Sequence, residues 1–165
     1  MTDFKEFIFD NVESMLEELN FTIIKKDFSR PWGGFFVIDE AQASAFAKKY
    51  FPTEDINVLK LSNKLSPKIL LVAPWKRLSW QYHHRRAEIW KCIDARVGVI
   101  TSDTNVEGTI KILEEGDSIK LYQGQRHRLV GLDQWGIIAE IWLHMNENNP
   151  SDEDDIVRVQ DDFGR

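Results

Sequence analysis

The apolar residues of this chain recur in two different rhythms. From about Asp3 to Leu19, the residues Phe4, Phe7, Ile8, Val12, Met15, Leu16 and Leu19 return at helical spacing, which predicts an amphipathic helix stopping near Asn20. Phe21 to Ile24 reads as a short strand. The stretch Arg30-Pro31-Trp32-Gly33-Gly34 breaks regular structure, and Phe35 to Ile38 reads as a strand rich in β-formers. Ala41 to Tyr50 is helical again, with Ala43, Phe46, Ala47 and Tyr50 on one side and Pro52 ending it.

From Val58 the rhythm shortens. Apolar runs follow at Val58–Leu61, Lys68–Val72, Leu78–Tyr82, Glu88–Ile93, Val97–Ile100, Thr109–Leu113, Ser118–Leu121, His127–Val130 and Ile137–Trp142. Polar turns separate them, such as Glu114-Glu115-Gly116-Asp117. Many short strands at even spacing predict an antiparallel sandwich or barrel rather than a parallel sheet. Met145–Ser151 reads as irregular, and Ile156–Val159 as an edge strand or a clasp.

Composition narrows the picture. The 165 residues fit one domain, divided as N-terminal helices and strands (1–57), a β-barrel (58–145) and a C-terminal clasp (146–165). A formal charge of −6 argues against a nucleic-acid partner. Much of the acidity sits at Asp152–Asp155 and Asp161–Asp162, so a pocket elsewhere can still be positive. Cys92 is the single cysteine, which excludes an internal disulfide and suits a reducing compartment. Met1–Asp10 carries acids and has no long apolar run, so neither a secretory leader nor a membrane partner is expected, and cytoplasm is the expected location.

Three of the four histidines fall where chemistry would use them. His83 and His84 lie in Gln81-Tyr82-His83-His84-Arg85-Arg86-Ala87-Glu88, and His127 in Gly124-Gln125-Arg126-His127. Strand alternation puts Gln81, His83 and Arg85 on one face and Tyr82 and His84 on the other. A strand histidine, a glutamate five residues later and a histidine from a distant strand can surround one metal ion, and imidazole with carboxylate suits zinc, manganese, iron or nickel. The same residues can equally be satisfied polar groups at a barrel rim.

Longer segments resemble a known family. Gly116-x5-Tyr122-x-Gly124-x2-His127 resembles the second cupin motif, with tyrosine for proline, and His83 to Ala95 resembles the first, with alanine for the final glycine. Four segments in order resemble the C-terminal cupin domain of type II phosphomannose isomerases, including the bifunctional isomerase/guanylyltransferases. They are Arg30-Pro31-Trp32-Gly33; Leu78-Ser79-Trp80-Gln81 running into Arg86-Ala87-Glu88-Ile89-Trp90; His127-Arg128-Leu129; and Glu153-Asp154-Asp155-Ile156-Val157-Arg158 ending in Asp162-Phe163-Gly164-Arg165. The closing segment is the most specific. The 29 residues before Arg30 are too few for a nucleotidyltransferase domain.

The resemblance implies a mainly β cupin, a double-stranded β-helix or jelly roll with N-terminal helical additions. It implies a metal-dependent aldose–ketose isomerase of a phosphorylated sugar, mannose 6-phosphate-like; the alternative is a cupin that binds a sugar phosphate or nucleotide sugar without turnover. Metal ligands would be His83, Glu88 and His127, with Gln81 as a further candidate, for Zn, Mn, Co or Ni. Arg85 stands where the family has histidine and cannot donate a lone pair to a metal. Either Gln81 completes the set, or the metal is weak or lost and Arg85 holds a substrate phosphate. Arg30, Arg86 and Arg128, with Trp32 at the pocket mouth, are the other substrate-binding candidates, since guanidinium matches phosphate bidentately. Arg158 and Arg165 inherit a substrate-binding or catalytic role, or else pair with Asp154, Asp155 or Asp161 and pin the tail. Glu140, on an otherwise apolar strand, is either a proton-transfer base with a raised pKa or an arginine's partner. Lys68 and Lys76 read as solvated, His144 as a surface residue, and Trp75, Trp80 and Trp90 as core. Open strand edges are compatible with a homodimer.

Overall fold

The computed structural model describes residues 2–59 and 64–165. Helix α1 (Thr2–Glu18) leads into β1 (Ile23–Asp27) and β2 (Gly33–Ile38). A 3-10 turn (Glu40–Gln42), α2 (Ala43–Tyr50) and the short α3 (Ile56–Leu59) follow. The remaining strands are β3 (Lys68–Val72), β4 (Trp80–Tyr82), β5 (Arg86–Asp94), β6 (Arg96–Ser102), β7 (Ile110–Glu114), β8 (Ser118–Leu121), β9 (Arg126–Gly131), β10 (Gly136–His144) and β11 (Val157–Gln160). They form a six-stranded sheet ordered β1-β2-β3-β10-β5-β8 and a five-stranded sheet ordered β11-β4-β9-β6-β7, with every strand pairing antiparallel. This is the β-barrel architecture that the strand rhythm predicts. Among the described residues no helix is long and apolar enough to cross a membrane.

The central strands of the six-stranded sheet are covered on both faces. Alternate residues of β3 and β10 (Ile69, Leu71, Ile137, Ala139, Ile141) join Phe9, Val12 and Leu16 of α1 and Phe46 of α2 in an outer cluster. The other parity (Leu70, Val72, Ile138), with Trp90 and Cys92 of β5, points into the barrel and packs against Val97, Val99 and Leu129 of the opposite sheet. All five residues of β3 are therefore buried, which a strand achieves only when both faces are covered.

Several local expectations change. Phe4 and Phe7 are more than half exposed, and Phe9 takes the central place in the helix stripe, touching the rings of Phe28, Phe36 and Trp135. Gly33 and Gly34 do not break structure but open β2: a Cβ on Gly34 would lie 2.7 Å from the Phe9 ring and one on Gly33 would lie 1.9 Å from the Leu71 carbonyl oxygen. Of the expected strand Val58–Leu61, the described part is the end of α3, and the rest lies outside the described residues. Trp75 is 72% exposed rather than core, whereas Trp80 and Trp90 are buried as expected.

Candidate functional site

The barrel-facing parity turns polar at one end of the barrel. Lys68 begins β3, Arg86 and Glu88 begin β5, Glu140 and Trp142 lie near the end of β10, and His127 lies near the start of β9. Because neighbours run antiparallel, these positions coincide. Glu140 faces Lys68, Trp142 faces Glu88, and His127 faces Gln81.

His83, Glu88 and His127 are brought together and buried. The Nδ1 of His83 lies 2.7 Å from the Asp155 carbonyl oxygen, and that of His127 lies 3.1 Å from the Gln125 carbonyl oxygen. A carbonyl only accepts, so either ring, when neutral, carries its proton on Nδ1 and presents Nε2 as a lone pair. The two Nε2 atoms are 3.3 Å apart, and the Glu88 carboxylate is 3.0 Å from one and 3.9 Å from the other. Three acceptors converging in a buried place call for a positive centre, a demand that Arg86 meets in part by reaching Glu88 and His83 from one side. Burial pushes His127 down to about 4, against the pull of Glu88, so a proton does not settle there at neutral pH. Burial opposes ionisation of Glu88, yet His83, Arg86 and His127 hold it well below the usual carboxylate range. Two imidazole nitrogens and a carboxylate form a donor set that fits a divalent cation and leaves coordination positions open.

Arg86 borders this cluster. Its Nε donates to Glu88 at 2.9 Å, Nη2 reaches His83 Nε2 at 3.3 Å, and Nη1 donates to Ser151 and the Asp152 carbonyl. Its guanidinium stacks 3.6 Å from the Trp142 ring centroid. Beside it lies Glu140, which accepts from the indoles of Trp90 (2.7 Å) and Trp142 (2.9 Å); the Trp90 indole also reaches Glu88 at 3.0 Å. Burial, and then the negative charge of Glu88, push Glu140 up to about 8. Glu140 thus answers to two indoles rather than to an arginine.

Glu88, Arg86, Glu140, Trp90 and Trp142 line a cavity of about 470 Å³, together with Trp32, Gln81, Arg30, Arg158 and Arg165, whereas His83 and His127 are not among its lining residues and reach it only through Glu88. Gln81 accepts from Ser79 Oγ at 2.5 Å. Arg30 pairs with Asp27 (3.1 Å) and Arg165 with Asp161 (2.7 Å). Arg158 pairs with Gln81 through the backbone of β11 and β4, and its exposed side chain at the rim meets no hydrogen-bonding or ionic partner among the described residues.

Two substrate-binding candidates are not brought to the cavity. Arg85 was expected to share a face with His83, but β4 ends at Tyr82 and the chain bends before β5, which resets the alternation. Its guanidinium is held by Asn149, the Pro150 carbonyl and Asp152. Arg128 has the opposite parity to His127 and is fully buried, donating to the Leu78 carbonyl, Glu107 and Gln160. Two dismissed residues matter instead. Lys68 is 6% exposed and lines the cavity. His144 is buried, accepting from Ser151 N–H on Nδ1 (2.9 Å), with Nε2 3.1 Å from Ser66 Oγ. The signal for Lys68 was its place at the head of a wholly apolar run.

The closing segment buttresses the site. Asp155 accepts from the backbone N–H of His84 and Arg85 (2.9 Å each) and from Ser151 Oγ (2.6 Å), while its own carbonyl orients His83. Although burial opposes it, these donors bring the Asp155 carboxyl down to about 2.

Comparison with known proteins places this architecture. The family profile described as "Mannose-6-phosphate isomerase C-terminal" matches residues 39–161. The mannose-1-phosphate guanylyltransferase of Salmonella montevideo is 29% identical over 150 residues, 91% of this chain and 26% of the relative. That of Sinorhizobium fredii is 29% identical over 161 residues, 96% of this chain and 24% of the relative. The chain thus spans about a quarter of the length of the curated relatives it matches. Among solved structures, the capsular polysaccharide assembling protein CapF from Staphylococcus aureus aligns with a TM-score of 0.54 at 13% identity, covering 82% of this chain and 34% of that one. A mutant of Bacillus subtilis oxalate decarboxylase aligns with a TM-score of 0.55 at 13% identity, covering 81% and 30%. At such identities these likenesses speak for the cupin fold alone. The chain belongs to the mannose-6-phosphate isomerase C-terminal family and has the fold of a cupin.

Proposed function

We propose that the protein is an aldose–ketose isomerase of a phosphorylated sugar, mannose 6-phosphate-like, acting with a divalent cation held by His83, Glu88 and His127. The observation that carries this reading is the convergence of two Nε2 lone pairs and an ionised carboxylate beside a cavity rimmed by arginines. A cation bound there supplies Lewis-acid polarisation of the oxygens on the two reacting carbons. The chain's own residues do the rest. Arg30, Arg158 and Arg165 offer guanidinium forks for the phosphate, so that binding energy remote from the reacting carbons positions them. Glu140, fixed by two indoles beside Glu88, is placed to carry the proton that moves between neighbouring carbons. The family description and the relatives' names support a mannose phosphate.

The test is interconversion of mannose 6-phosphate and fructose 6-phosphate by purified protein, stripped with a chelator and reloaded with Zn, Mn, Co or Ni. Turnover should vanish on stripping, return on loading and be absent in His127→Asn. No turnover with any of the four metals overturns the reading.

A second reading is favoured by Arg86, which already balances Glu88 and donates to His83 Nε2, and by Arg85 in place of a third imidazole. The cavity would then hold a sugar phosphate or nucleotide sugar without turning it over. Metal-free protein stabilised by sugar phosphate, with no turnover, selects it.

A further inference from the structure

Lys68 faces Glu140 across the sheet. It shares the parity of Leu70 and Val72, so its side chain points into the barrel. Burying an ammonium is costly unless the charge is compensated. Its Nζ lies 4.2 Å from the Trp142 ring centroid and 5.4 Å from that of Phe35, and its ionic partner is the Glu153 carboxylate. An ammonium has three donors, and among the described residues one hydrogen bond, to Glu153, is made. The pair is lopsided: the Lys68 side chain is 8% exposed and that of Glu153 is 65% exposed. Lys68 is fixed and dry, whereas Glu153 loses little by returning to water. Arg30 lies over the same Phe35 ring, 5.5 Å from its centroid, and lines the same cavity. With Lys25, 5.8 Å from the same centroid, three cations surround one aromatic ring; of these Lys68 and Arg30 line the cavity, and a carboxylate from the closing segment rests on Lys68.

We propose that Lys68 and Arg30 form the phosphate site of the cavity, and that Glu153 is an internal competitor holding that site until a phosphoryl group displaces it. The identity of the ligand rests on the sugar-phosphate reading given above. A phosphate monoester carries nearly two negative charges on three acceptor oxygens. It can engage the unused donors of Lys68 together with the planar fork of Arg30, a span that one carboxylate does not cover. Arg30 Nε lies 3.1 Å from Asp27 but makes no hydrogen bond among the described residues, so Arg30 is tethered by charge alone and its fork remains available.

The experiment is calorimetric titration of the whole chain with inorganic phosphate, with no metal added. Glu153→Gln should bind phosphate at least about tenfold tighter, and Lys68→Met at least about tenfold weaker; a factor of ten is ~1.4 kcal/mol, well within the range of a charge-assisted hydrogen bond. Unchanged or weaker binding by Glu153→Gln overturns the proposal, as does unchanged binding by Lys68→Met. Glu153 is mostly exposed, so its substitution leaves the fold intact and decides the matter even should Lys68→Met not fold. The titration needs no turnover, so the two ideas fail separately. Phosphate behaviour as stated without isomerisation removes the isomerase and keeps the site; isomerisation with no effect of Glu153→Gln on phosphate does the reverse.

Discussion

Glu88 and Glu140 are neighbouring carboxyls in opposite states. Glu88 stays ionised because two imidazoles and a guanidinium surround it, and its charge, added to burial, keeps the proton on Glu140. In the unfolded chain Glu140 ionises near its ordinary 4.5; in the folded, metal-free protein it holds its proton to about 8. Folding therefore takes up a proton in that window. The stability linked to this group is fully present below pH 4.5 and is lost as the pH rises to 8. Glu140→Gln keeps a neutral acceptor for the indoles and removes that slope. The melting temperature of the variant, relative to the parent, should be higher at pH 8 than at pH 5; equal offsets would show that Glu140 is ionised in the fold. If Glu140 carries the proton, turnover in the variant falls by roughly 10²–10⁴. At this scale the cluster of His83, Glu88 and His127 was legible, because a strand histidine with a nearby glutamate and a distant histidine invites convergence. Arg85 was not, because alternation does not carry through a turn. Lys68 was not, because a lysine is almost never buried without a partner, and its partner lies 85 residues away.

The closing segment makes two contributions that can be separated. The first is capping of the turn between β4 and β5 by Asp155. Asp155→Ala removes a carboxylate accepting two backbone N–H groups and a hydroxyl, and should cost about 3 kcal/mol. Amide exchange at His84 and Arg85 should accelerate in the same variant; unchanged exchange there would separate the turn from the tail. The second contribution runs through His144, whose Nδ1 accepts from the Ser151 N–H. Burial lowers this imidazole from its ordinary 6.5 to about 4. Its stability is present above pH 6.5 and is lost as the pH falls to 4, where the unfolded chain takes a proton that the fold refuses. His127 is shifted the same way. His144→Asn should therefore flatten, without abolishing, the fall in denaturation midpoint between pH 7 and pH 4. The tail's motif and its strand β11 were legible. Its contacts were not: Arg165 does pair with Asp161, but the Arg158 side chain has no partner among the described residues, and the key acid, Asp155, takes backbone N–H groups and lies 3.9 Å from Arg85 rather than meeting Arg158 or Arg165.

Taken whole, the molecule is a barrel whose larger wall is shared between two cores. The outer core lets β3 and β10 stay anchored although the inner face of the same strands carries Lys68 and Glu140. Phe9 is the hinge-pin of that arrangement, almost wholly buried among three aromatic rings. Phe9→Ala should cost about 3–5 kcal/mol in chemical denaturation. A loss below about 1 kcal/mol would mean that α1 is a dispensable cover. The all-β plan, the two N-terminal helices and the barrel could be read from periodicity. The choice of helix face could not, since Phe4, Phe7 and Phe9 are equally apolar and only the position of the sheet decides among them.

The bond from His83 to the Asp155 carbonyl joins residues 72 apart. Chains emerge from the ribosome N-terminus first, so β1 to β10 are all available before Asp155 exists. His83 gains its fixed tautomer last, when the tail arrives. The cluster is therefore timed as well as placed: its histidine is fixed only once the closing segment that carries Asp155 has been made.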